Sequence, residues 1–497
     1  MKKFICALLL FALLFSIAVS ADTAPAPTLE NLEVPFQSYL KDYTNETRGT
    51  NVWNLEYYNG NLYVGWGDYG DNLGAKLGGM PLLRYNDLTN TWHLATILDD
   101  EEIARFFQYD NKLYITGTDP IKRVGSIYVG DEKGAWSILS TYDGGVHVFD
   151  MLVQDDVMYV AYGQGGGKAI IRYTTDQKTF TDIEFRFEGE PVVPKGGYAR
   201  CYNLFELEGD IYATLALYNA DEKYNGIYKL DKTNMVLNFV GKGIEGIATS
   251  GANTFDCEFN GNFVYAKKTL NYTKNPGDEN WTTAEAVKGI VTCVKIIDGS
   301  LYVTAYEAAD NKYKNTIYKT DDLKTFQTLY SFEDEAFVRS FCYGNGNFYI
   351  GTSSVSANGV AKAGKVFSLS AEKNEKTDIV VKLDIDGKKE GLDYKWVRFQ
   401  LKVGDTVIAD EMLNKTNGWE YSIEGADKRD DWSVEIMSNS FENDWKIENK
   451  DGTFLLKNAE GGSTVWIILG VVGGIILVGA IIAVVVLVKK KSKAKTE

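Results

Sequence analysis

The sequence predicts an all-β ectodomain, a seven-bladed β-propeller plus a small β-sandwich, with one C-terminal transmembrane α-helix. Three observations lead to this prediction. A phrase of the type NGNLYVG recurs seven times at steps of 38–53 residues, a stretch of about 85 strand-like residues follows, and an uncharged apolar segment lies near the end of the chain. The first observation carries most of the prediction, because a repeat of one supersecondary unit at about 40–50 residues is typical of propeller blades.

The repeated phrase marks a hairpin within each unit. In the first repeat, VWNLEYY at 52–58 and NLYVGWG at 61–67 flank Asn59-Gly60, a tight-turn signal because glycine tolerates a positive φ. Two more strand-like runs, 81–87 and 91–98, complete four short antiparallel strands, the content of one blade. The first apolar residues of the seven phrases are Leu62, Leu113, Met158, Ile211, Phe263, Leu301 and Phe348.

The seventh repeat lacks a fourth strand, since charged sequence follows its third. Propellers commonly close by taking a missing strand from the other end of the chain, which hides two sheet edges. We therefore predict that 31–40 (NLEVPFQSYL) is the outer strand of the last blade, so that the propeller spans 31–372.

Two connections between third and fourth strands, TTDQKTF at 174–180 and KTDDLKTF at 319–326, carry a recognisable turn pattern. They resemble the Asp-box turn of sialidase-like propellers, although the central glycine is absent and the loop is one residue short. The repeats are thus kelch-like or Asp-box-like without a definite family. Because the box is a structural device wherever it occurs, this resemblance does not imply an enzyme.

The periodicity ends near residue 376, and 376–460 reads as six or seven strands of a small β-sandwich. Its order, with FQLKVGDTVIADEMLN, the NGWEYSI turn, WSVEI and a final GTFLLKN, resembles the B-type (Cna-B-like) domain of collagen-binding surface proteins. That resemblance implies an isopeptide between Lys382 and Asn458, promoted by a buried acid. Ile436 occupies the expected acid position, and Glu435 should face the other way. A plain stalk domain is the alternative.

The two ends of the chain predict a membrane topology. Residues 1–20 have the basic start, apolar run and small cleavage-site residues of a secretory signal peptide. Residues 465–488 are 24 residues without a charge, long enough to span a bilayer, and 489–497 form a lysine-rich tail. By the positive-inside tendency, the protein is a single-pass type I plasma-membrane protein with its N-terminus outside. Gly470 and Gly474 form one GxxxG, which could pair two helices.

Charge and sequons describe the predicted exterior. Without Lys2, Lys3 and the tail's five lysines and one glutamate, 45 basic and 67 acidic residues remain, a net charge of −22. Such an exterior argues against nucleic acid as a partner. Four N-x-S/T sequons in a secreted chain predict glycosylated, exposed loops. Their asparagines are Asn45, Asn271, Asn280 and Asn414.

Four cysteines remain after the signal peptide, and all lie an even number of residues before the repeat mark, which places them on one face of equivalent strands. They could form one or two disulfides between blades or pack as small buried hydrophobes. Without CxxC, and with only His93 and His147, the sequence predicts neither a metal site nor a cofactor. The cysteines are Cys201, Cys257, Cys293 and Cys342.

Three arginines, Arg105, Arg200 and Arg339, precede the repeat mark by 8, 11 and 9 residues. They could cluster near the mouth of the channel and clamp a carboxylate, because a guanidinium fork pairs with a carboxylate bidentately. Scattered ion pairs with the many acids are the alternative. The Arg-Ile-Pro motif that sialidases carry near their start is absent.

The expected function is recognition, with the propeller as an extracellular adhesion module for a protein or glycan. A large display face without a catalytic constellation favours this interpretation over a membrane-anchored, sialidase-like ectoenzyme acting on glycans. Convergence of the three arginines with an acid or a tyrosine would favour the ectoenzyme. A purely structural coat protein, the third class, would show no concentrated aromatic or polar patch at either mouth.

Overall fold

The computed structural model describes residues 27–40 and 51–458, apart from 69–73, 75–76, 121–123, 144, 166–169, 193–196, 220, 250–254, 358–359, 371–375, 385–391, 405 and 442–444. The predicted signal peptide, transmembrane helix, basic tail, Asn45 and the Gly470–Gly474 pair all lie outside these residues. Within the described residues, no helix has the length and apolar character needed to span a bilayer. The chain divides into two compact regions, Met1–Thr377 with Ile423–Arg429, and Asp378–Ser422 with Asp430–Glu497.

The first region is built almost wholly from short strands, after β1 (Thr28–Asn31) and the helix α1 (Phe36–Tyr39). The strands of the first three repeats are β2 (Asn51–Tyr58), β3 (Asn61–Gly67), β4 (Met80–Asn86), β5 (Thr91–Leu98), β6 (Glu102–Tyr109), β7 (Lys112–Thr118), β8 (Gly125–Gly130), β9 (Trp136–Tyr142), β10 (Gly145–Gln154), β11 (Val157–Gly165), β12 (Ile171–Thr174) and β13 (Thr181–Asp182). Besides α1, the described residues include two 3-10 turns, Glu222–Tyr224 and Lys415–Asn417.

The remaining repeats continue in the same manner. An inserted pair, β14 (Glu184–Phe187) and β15 (Glu190–Pro191), precedes the fourth repeat, and β14 pairs in parallel with its last strand. The strands that follow are β16 (Tyr198–Arg200), β17 (Leu204–Leu207), β18 (Asp210–Tyr218), β19 (Gly226–Asp231), β20 (Val236–Gly241), β21 (Phe255–Phe259), β22 (Asn262–Lys267), β23 (Thr269–Thr273), β24 (Thr282–Thr283), β25 (Ile290–Ile297), β26 (Ser300–Ala309), β27 (Lys312–Thr320), β28 (Gln327–Asp334), β29 (Val338–Gly344), β30 (Asn347–Thr352), β31 (Val355–Ala357), β32 (Val360–Lys362) and β33 (Val366–Ser370).

Each of the seven recurring phrases forms the turn between the first and second strands of its repeat. Both central residues of every turn have a positive φ, as a type I′ turn requires, which explains the preference for Asn, Asp and Gly there. The pairs are Asn59-Gly60, Asp110-Asn111, Asp155-Asp156, Glu208-Gly209, Asn260-Gly261, Asp298-Gly299 and Asn345-Gly346. The predicted repeat and its strand content are therefore confirmed, and the fold is all-β with propeller-like sheets.

The first strands of successive repeats contact one another, and the first strand of the last repeat (β29) contacts that of the first (β2). At this last contact, the rings of Tyr57 and Tyr349 stack at 5.8 Å, and both hydroxyls donate to the buried Asp87 carboxylate. A Cβ on Gly344 would lie 2.0 Å from Cγ of Tyr57, so only glycine fits beside that ring. Burial raises the pKa of Asp87 despite the three side chains, including Asn345, that donate to it.

The predicted outer strand of the last repeat has different bounds. β1 (Thr28–Asn31) pairs antiparallel with β33 at the edge of a sheet whose order is β1-β33-β30-β29. Most of the predicted segment, 31–40, is not a strand, because Pro35 precedes the helix α1. Phe36 is 2% exposed and packs on Trp66 at 4.4 Å. The apolar residues of this segment therefore fill the core instead of extending the sheet.

Deleting Thr28–Asn31 is expected to lower the free energy of unfolding by about 2–5 kcal/mol, because four residues of strand pairing and the packing of Leu29 are lost. The deletion also exposes β33 as an unpaired edge, which favours aggregation. Thermal unfolding with light scattering measures both effects, with deletion of 21–26 as the matched control. Equal melting temperatures for the two deletions would contradict the assigned role of β1.

The second region contains two sheets. Its strands are β34 (Lys376–Asp384), β35 (Trp396–Val403), β36 (Thr406–Asn414), β37 (Glu420–Asp427), β38 (Trp432–Asn439), β39 (Trp445–Lys450) and β40 (Thr453–Asn458). One sheet has the order β37-β34-β40-β39, with β34 and β40 parallel, and the other has the order β36-β35-β38. Alternate residues such as Val381, Phe399 and Leu456 are buried, and the rings of Phe399 and Tyr421 meet between the sheets at 5.7 Å.

Candidate functional site

A recurring interruption marks the N-terminal half of the first strand in most repeats. The register of pairing shifts between Val52 and Asn54, Ile103 and Phe106, Val148 and Asp150, Val291 and Cys293, and Val338 and Ser340. In the fourth repeat, residues 201–203 separate β16 from β17 at the corresponding place. A β-bulge leaves a residue unpaired and re-aims its side chain. The residues within these shifts include Trp53, Arg105, Phe149 and Arg339.

A cavity of about 150 Å³ lies at this end of the first strands. Three of its lining residues, Trp53, Thr292 and Arg339, are bulge residues from the first, sixth and seventh repeats. Ile290 is 44% exposed and Lys268 is exposed, so the cavity opens to solvent beside them. The full lining is Trp53, Ala266, Lys267, Lys268, Ile290, Val291, Thr292, Tyr306, Phe337 and Arg339.

Arg339 is held in this cavity between aromatic rings. The guanidinium carbon lies 4.0 Å from the Trp53 ring centroid and 5.5 Å from that of Phe337. Nε is buried without a hydrogen-bond partner, and no carboxylate of the described residues forms an ion pair with Arg339. Burial lowers the pKa of Arg339 to about 10, and the negative charge of Glu102 opposes that effect.

Lys267 shares this environment. Burial lowers the pKa of the Lys267 ammonium, and the neighbouring Lys268 charge lowers it further. Lys268 itself has a φ of 59° between β22 and β23, and its carbonyl accepts a hydrogen bond from Val291 N. The cavity is therefore lined by three basic side chains, those of Lys267, Lys268 and Arg339, in a chain that is acidic as a whole.

Arg105 has a different environment. Its Nη1 lies 2.7 Å from Oδ1 of Asp150, and both side chains are buried. Asp150 also accepts hydrogen bonds from the backbone amides of Met151 and Leu204. The interaction with Asp150 raises the pKa of Arg105 against the effect of burial. Asp256 is close enough to this pair that burial and the Asp150 charge raise its pKa to about 7.

Arg200 lies in an aromatic cluster formed by the third and fourth repeats. Its guanidinium carbon is 4.8 Å from the Tyr198 ring and 5.5 Å from the Phe149 ring. His147 stacks on Phe149, and burial together with the Arg200 charge lowers the pKa of His147 to about 3. Within the part of the chain that the structure describes, no carboxylate pairs with Arg200.

The three arginines predicted as a clamp thus occupy three environments. Arg339 lines the cavity, Arg200 stacks on the exposed Tyr198 ring and the buried Phe149 ring, and Arg105 forms an ion pair with Asp150. For Arg105, the ion-pair alternative describes the structure. The sequence offsets placed all three on first strands, but they contained no information on which of them has a carboxylate partner.

The four cysteines are free thiols in the structure, so the disulfide alternative is not realised. Cys201, Cys293 and Cys342 are buried, which agrees with the packing alternative. Cys293 interacts with both Cys257 and Cys342 on neighbouring first strands. Burial raises the pKa of Cys293 to about 12, which disfavours the reactive thiolate form.

The predicted glycosylation sites differ in accessibility. Asn280 is exposed in a loop, as a glycan acceptor must be. Asn271 is a correction to the prediction of exposed loops, because it is 4% exposed within β23 and its amide donates to Thr269 and accepts from Thr283. Asn414 is half-buried and its side-chain oxygen caps the 3-10 turn that follows.

The predicted isopeptide pair lies on neighbouring strands. Lys382 on β34 is opposite Leu455, three residues before Asn458 on β40. The Lys382 ammonium lies 2.8 Å from a carboxylate oxygen of Glu420, and half of its side chain is exposed. Phe399 pairs with Ile436 and Gln400 with Glu435, and Glu435 forms an ion pair with Lys402. The cross-link stays a prediction.

Among the described residues, no group of three or more His, Cys, Asp or Glu side chains could hold a metal ion. The two Asp-box-like turns are formed by one aspartate each. Asp176 accepts from the amides of Lys178 and Thr179, and Asp322 accepts from those of Lys324 and Thr325. These hydrogen bonds lower the pKa of Asp176 to about 2. Both turns are structural.

Comparison with known proteins gives structural neighbours only. No protein-family model and no curated protein matches the chain. Similar solved structures are β-propellers, among them the Pan2 WD40 domain of Neurospora crassa (TM-score 0.44, 11% identity, covering 70% of this chain and 97% of that one). Virginiamycin B lyase of Staphylococcus aureus has a TM-score of 0.40 at 11% identity, covering 66% and 97% of the two chains. The propeller domain of the Pyrococcus furiosus Trilobed protease has a TM-score of 0.37 at 11% identity, covering 65% and 94%. Because these TM-scores and sequence identities are low, the similarities carry no conclusion about function.

Proposed function

We propose that the protein is a single-pass type I cell-surface glycoprotein whose N-terminal region recognises an extracellular protein or glycan. In this proposal the seven repeats form a closed seven-bladed propeller. The contacts between successive first strands, including that between β29 and β2, support it. The second region is proposed to be a Cna-B-like stalk, supported by its two small sheets with alternating burial.

One observation carries the recognition proposal. Arg200 and Arg339 are stacked on aromatic rings and form no ion pair with a described carboxylate, although the chain has 68 acidic residues. Arginine and aromatic side chains dominate the binding energy of many interfaces, because they present large rigid surfaces with hydrogen-bonding capacity. A coat protein without a partner has no use for two such groups.

The alternative of a sialidase-like ectoenzyme has weaker support. A carboxylate clamp needs several arginines around one cavity, and Arg339 is the one that lines the cavity described above. Arg105 is instead neutralised by Asp150. Recognition therefore accounts for the geometry with fewer assumptions.

The recognition proposal is tested by probing an array of extracellular proteins and glycans with the purified full-length chain. We expect retention on a small set of ligands and a loss of about tenfold or more when Arg200→Ala and Arg339→Met are combined. Arg186→Met is the matched control, because Arg186 is a half-buried arginine whose side chain pairs with Glu184. If the array retains the double variant as well as it retains the wild type, Arg200 and Arg339 do not bind the ligand, and the recognition proposal loses the observation that carries it.

A further inference from the structure

The cavity at Arg339 contains a partly buried positive charge that forms no ion pair with a described carboxylate, although the charge of Glu102 acts on it from further away. The guanidinium is packed between Trp53 and Phe337, and its Nε has no acceptor. A buried charge is unfavourable unless a counter-charge and hydrogen bonds compensate for the lost water. Within the described chain no carboxylate forms an ion pair with Arg339. A bound anion would supply the missing acceptor together with a counter-charge in direct contact with the guanidinium.

The other lining residues restrict the chemistry of that anion. Lys267 and Lys268 add positive charge, while Ala266, Ile290 and Val291 provide apolar walls. None of the ten lining residues carries a carboxylate or an amide side chain. Sugar hydroxyl groups both donate and accept hydrogen bonds, and sites that orient them need several matched polar side chains. A cavity with basic and apolar walls instead suits a ligand with an anionic group at the end of a short hydrocarbon chain.

The volume of the cavity sets the size of the group. A cavity of about 150 Å³ holds a molecule of about the size of benzene. A carboxylate with two or three carbon atoms fits this volume, and an oligosaccharide does not. The solvent opening beside Ile290 and Lys268 lets such a group enter while the rest of its chain stays outside.

We propose that this cavity binds the carboxylate of a glutamate or aspartate side chain presented by an acidic segment of a protein partner, with Arg339 as the anchor. The inference rests on the proposed recognition function and names the ligand class of one site. Stacking on Trp53 holds the planar guanidinium in place, so little side-chain entropy is lost when a carboxylate pairs with it. Because the chain is negatively charged overall, the rest of its surface repels acidic segments, which favours their binding at this cavity.

Saturation-transfer NMR on the purified full-length chain tests the proposal with three probes: N-acetyl-glutamate amide, N-acetyl-glutamine amide and glucuronate. We expect saturation of the glutamate methylene protons and a signal at least tenfold weaker for the glutamine probe, which has the same shape without the charge. Equal signals from both probes would overturn the proposal. A glucuronate signal without a glutamate signal would also overturn it, and would assign the carboxylate to a sugar.

Two variants separate binding from folding. Arg339→Met should abolish the glutamate signal without lowering the melting temperature, because it removes a partly buried charge that has no ion-pair partner among the described residues. Arg339→Lys should weaken the signal while keeping a charge, because lysine lacks the planar fork. Arg186→Met should change neither quantity. A lower melting temperature for Arg339→Met, with unchanged probe binding, would mean that Arg339 is structural.

The outcomes also separate this inference from the proposed function. If the array shows retention that Arg339→Met leaves intact while Arg200→Ala abolishes it, recognition stands and the Arg339 cavity is not the anchor. If the glutamate probe binds the cavity but the array retains nothing, the cavity assignment stands and recognition of an extracellular partner fails. Absence of signal from all three probes contradicts the cavity proposal alone.

Discussion

Replacing Asp150 by alanine is expected to lower the free energy of unfolding by about 3–5 kcal/mol, because the change leaves the buried Arg105 guanidinium without its closest carboxylate. Two backbone amides, those of Met151 and Leu204, also lose their acceptor. Asp256 would be affected as well. The Asp150 charge raises its pKa, so its pKa should fall towards the ordinary value in the variant. Urea unfolding at pH 7 measures the change in stability.

Asp182→Ala is the control for this prediction. Asp182 accepts from Arg172 at 2.9 Å, but its side chain is 62% exposed, so the loss should be below about 1 kcal/mol. A second comparison is Arg105→Met combined with Asp150→Leu. This pair removes both charges, and it should be less damaging than the single change. Similar losses for Asp150→Ala and Asp182→Ala would show that the buried pair has no special importance.

The second large effect concerns pH. Asp100 is 1% exposed between Asp99 and two further buried acids, and burial raises its pKa to about 8. Tyr128 interacts with the carboxyl group and partly offsets that rise. The folded protein therefore keeps a proton on Asp100 at pH values where the unfolded chain has released it. The contribution of Asp100 to the free energy of unfolding is therefore fully present below about pH 4, and it falls by about 1.4 kcal/mol for each pH unit up to about pH 8.

Asp100→Asn should remove this dependence, because asparagine does not titrate. We expect the variant to gain about 2–3 kcal/mol relative to the wild type between pH 5 and pH 7. Asp256 keeps its own contribution of the same sign, so the slope should decrease and not vanish. The free energy of unfolding of both proteins, measured by urea titration at pH 5, 6, 7 and 8, tests this. Parallel curves for the two proteins would mean that Asp100 is charged in the folded state at neutral pH.

Local signals in the sequence predicted the repeats well. The turn residues Asn59 and Gly60 and their counterparts encode a positive φ directly, so each hairpin could be located without knowledge of the rest of the chain. The segment 31–40 misled the prediction because Val34 and Phe36 are apolar for a different reason. Phe36 packs against Trp66, and this burial leaves the same pattern in the sequence as a strand would.

The site was harder to predict because it depends on contacts between repeats. Arg339 and Trp53 are far apart in sequence and meet through a contact between the seventh and first repeats. The bulges have no residue signature, since Trp53, Thr292 and Arg339 differ in every property. The prediction of an exposed loop at Asn271 was wrong for a related reason. The three residues of the sequon satisfy the rule, but β23 places the amide inside the sheet.

The pairing of β1 with β33 has a consequence for biosynthesis. Ribosomes deliver the chain from its N-terminus, so Thr28–Asn31 emerges more than 300 residues before Val366–Ser370. All seven hairpins can form as they emerge, because the two strands of each are adjacent in sequence. The last sheet cannot be completed in this way, and β1 must stay unpaired until translation has passed Ser370. A nascent chain arrested before that point should therefore expose β1 to chaperones and proteases, and completion of the chain should protect it in a single late step.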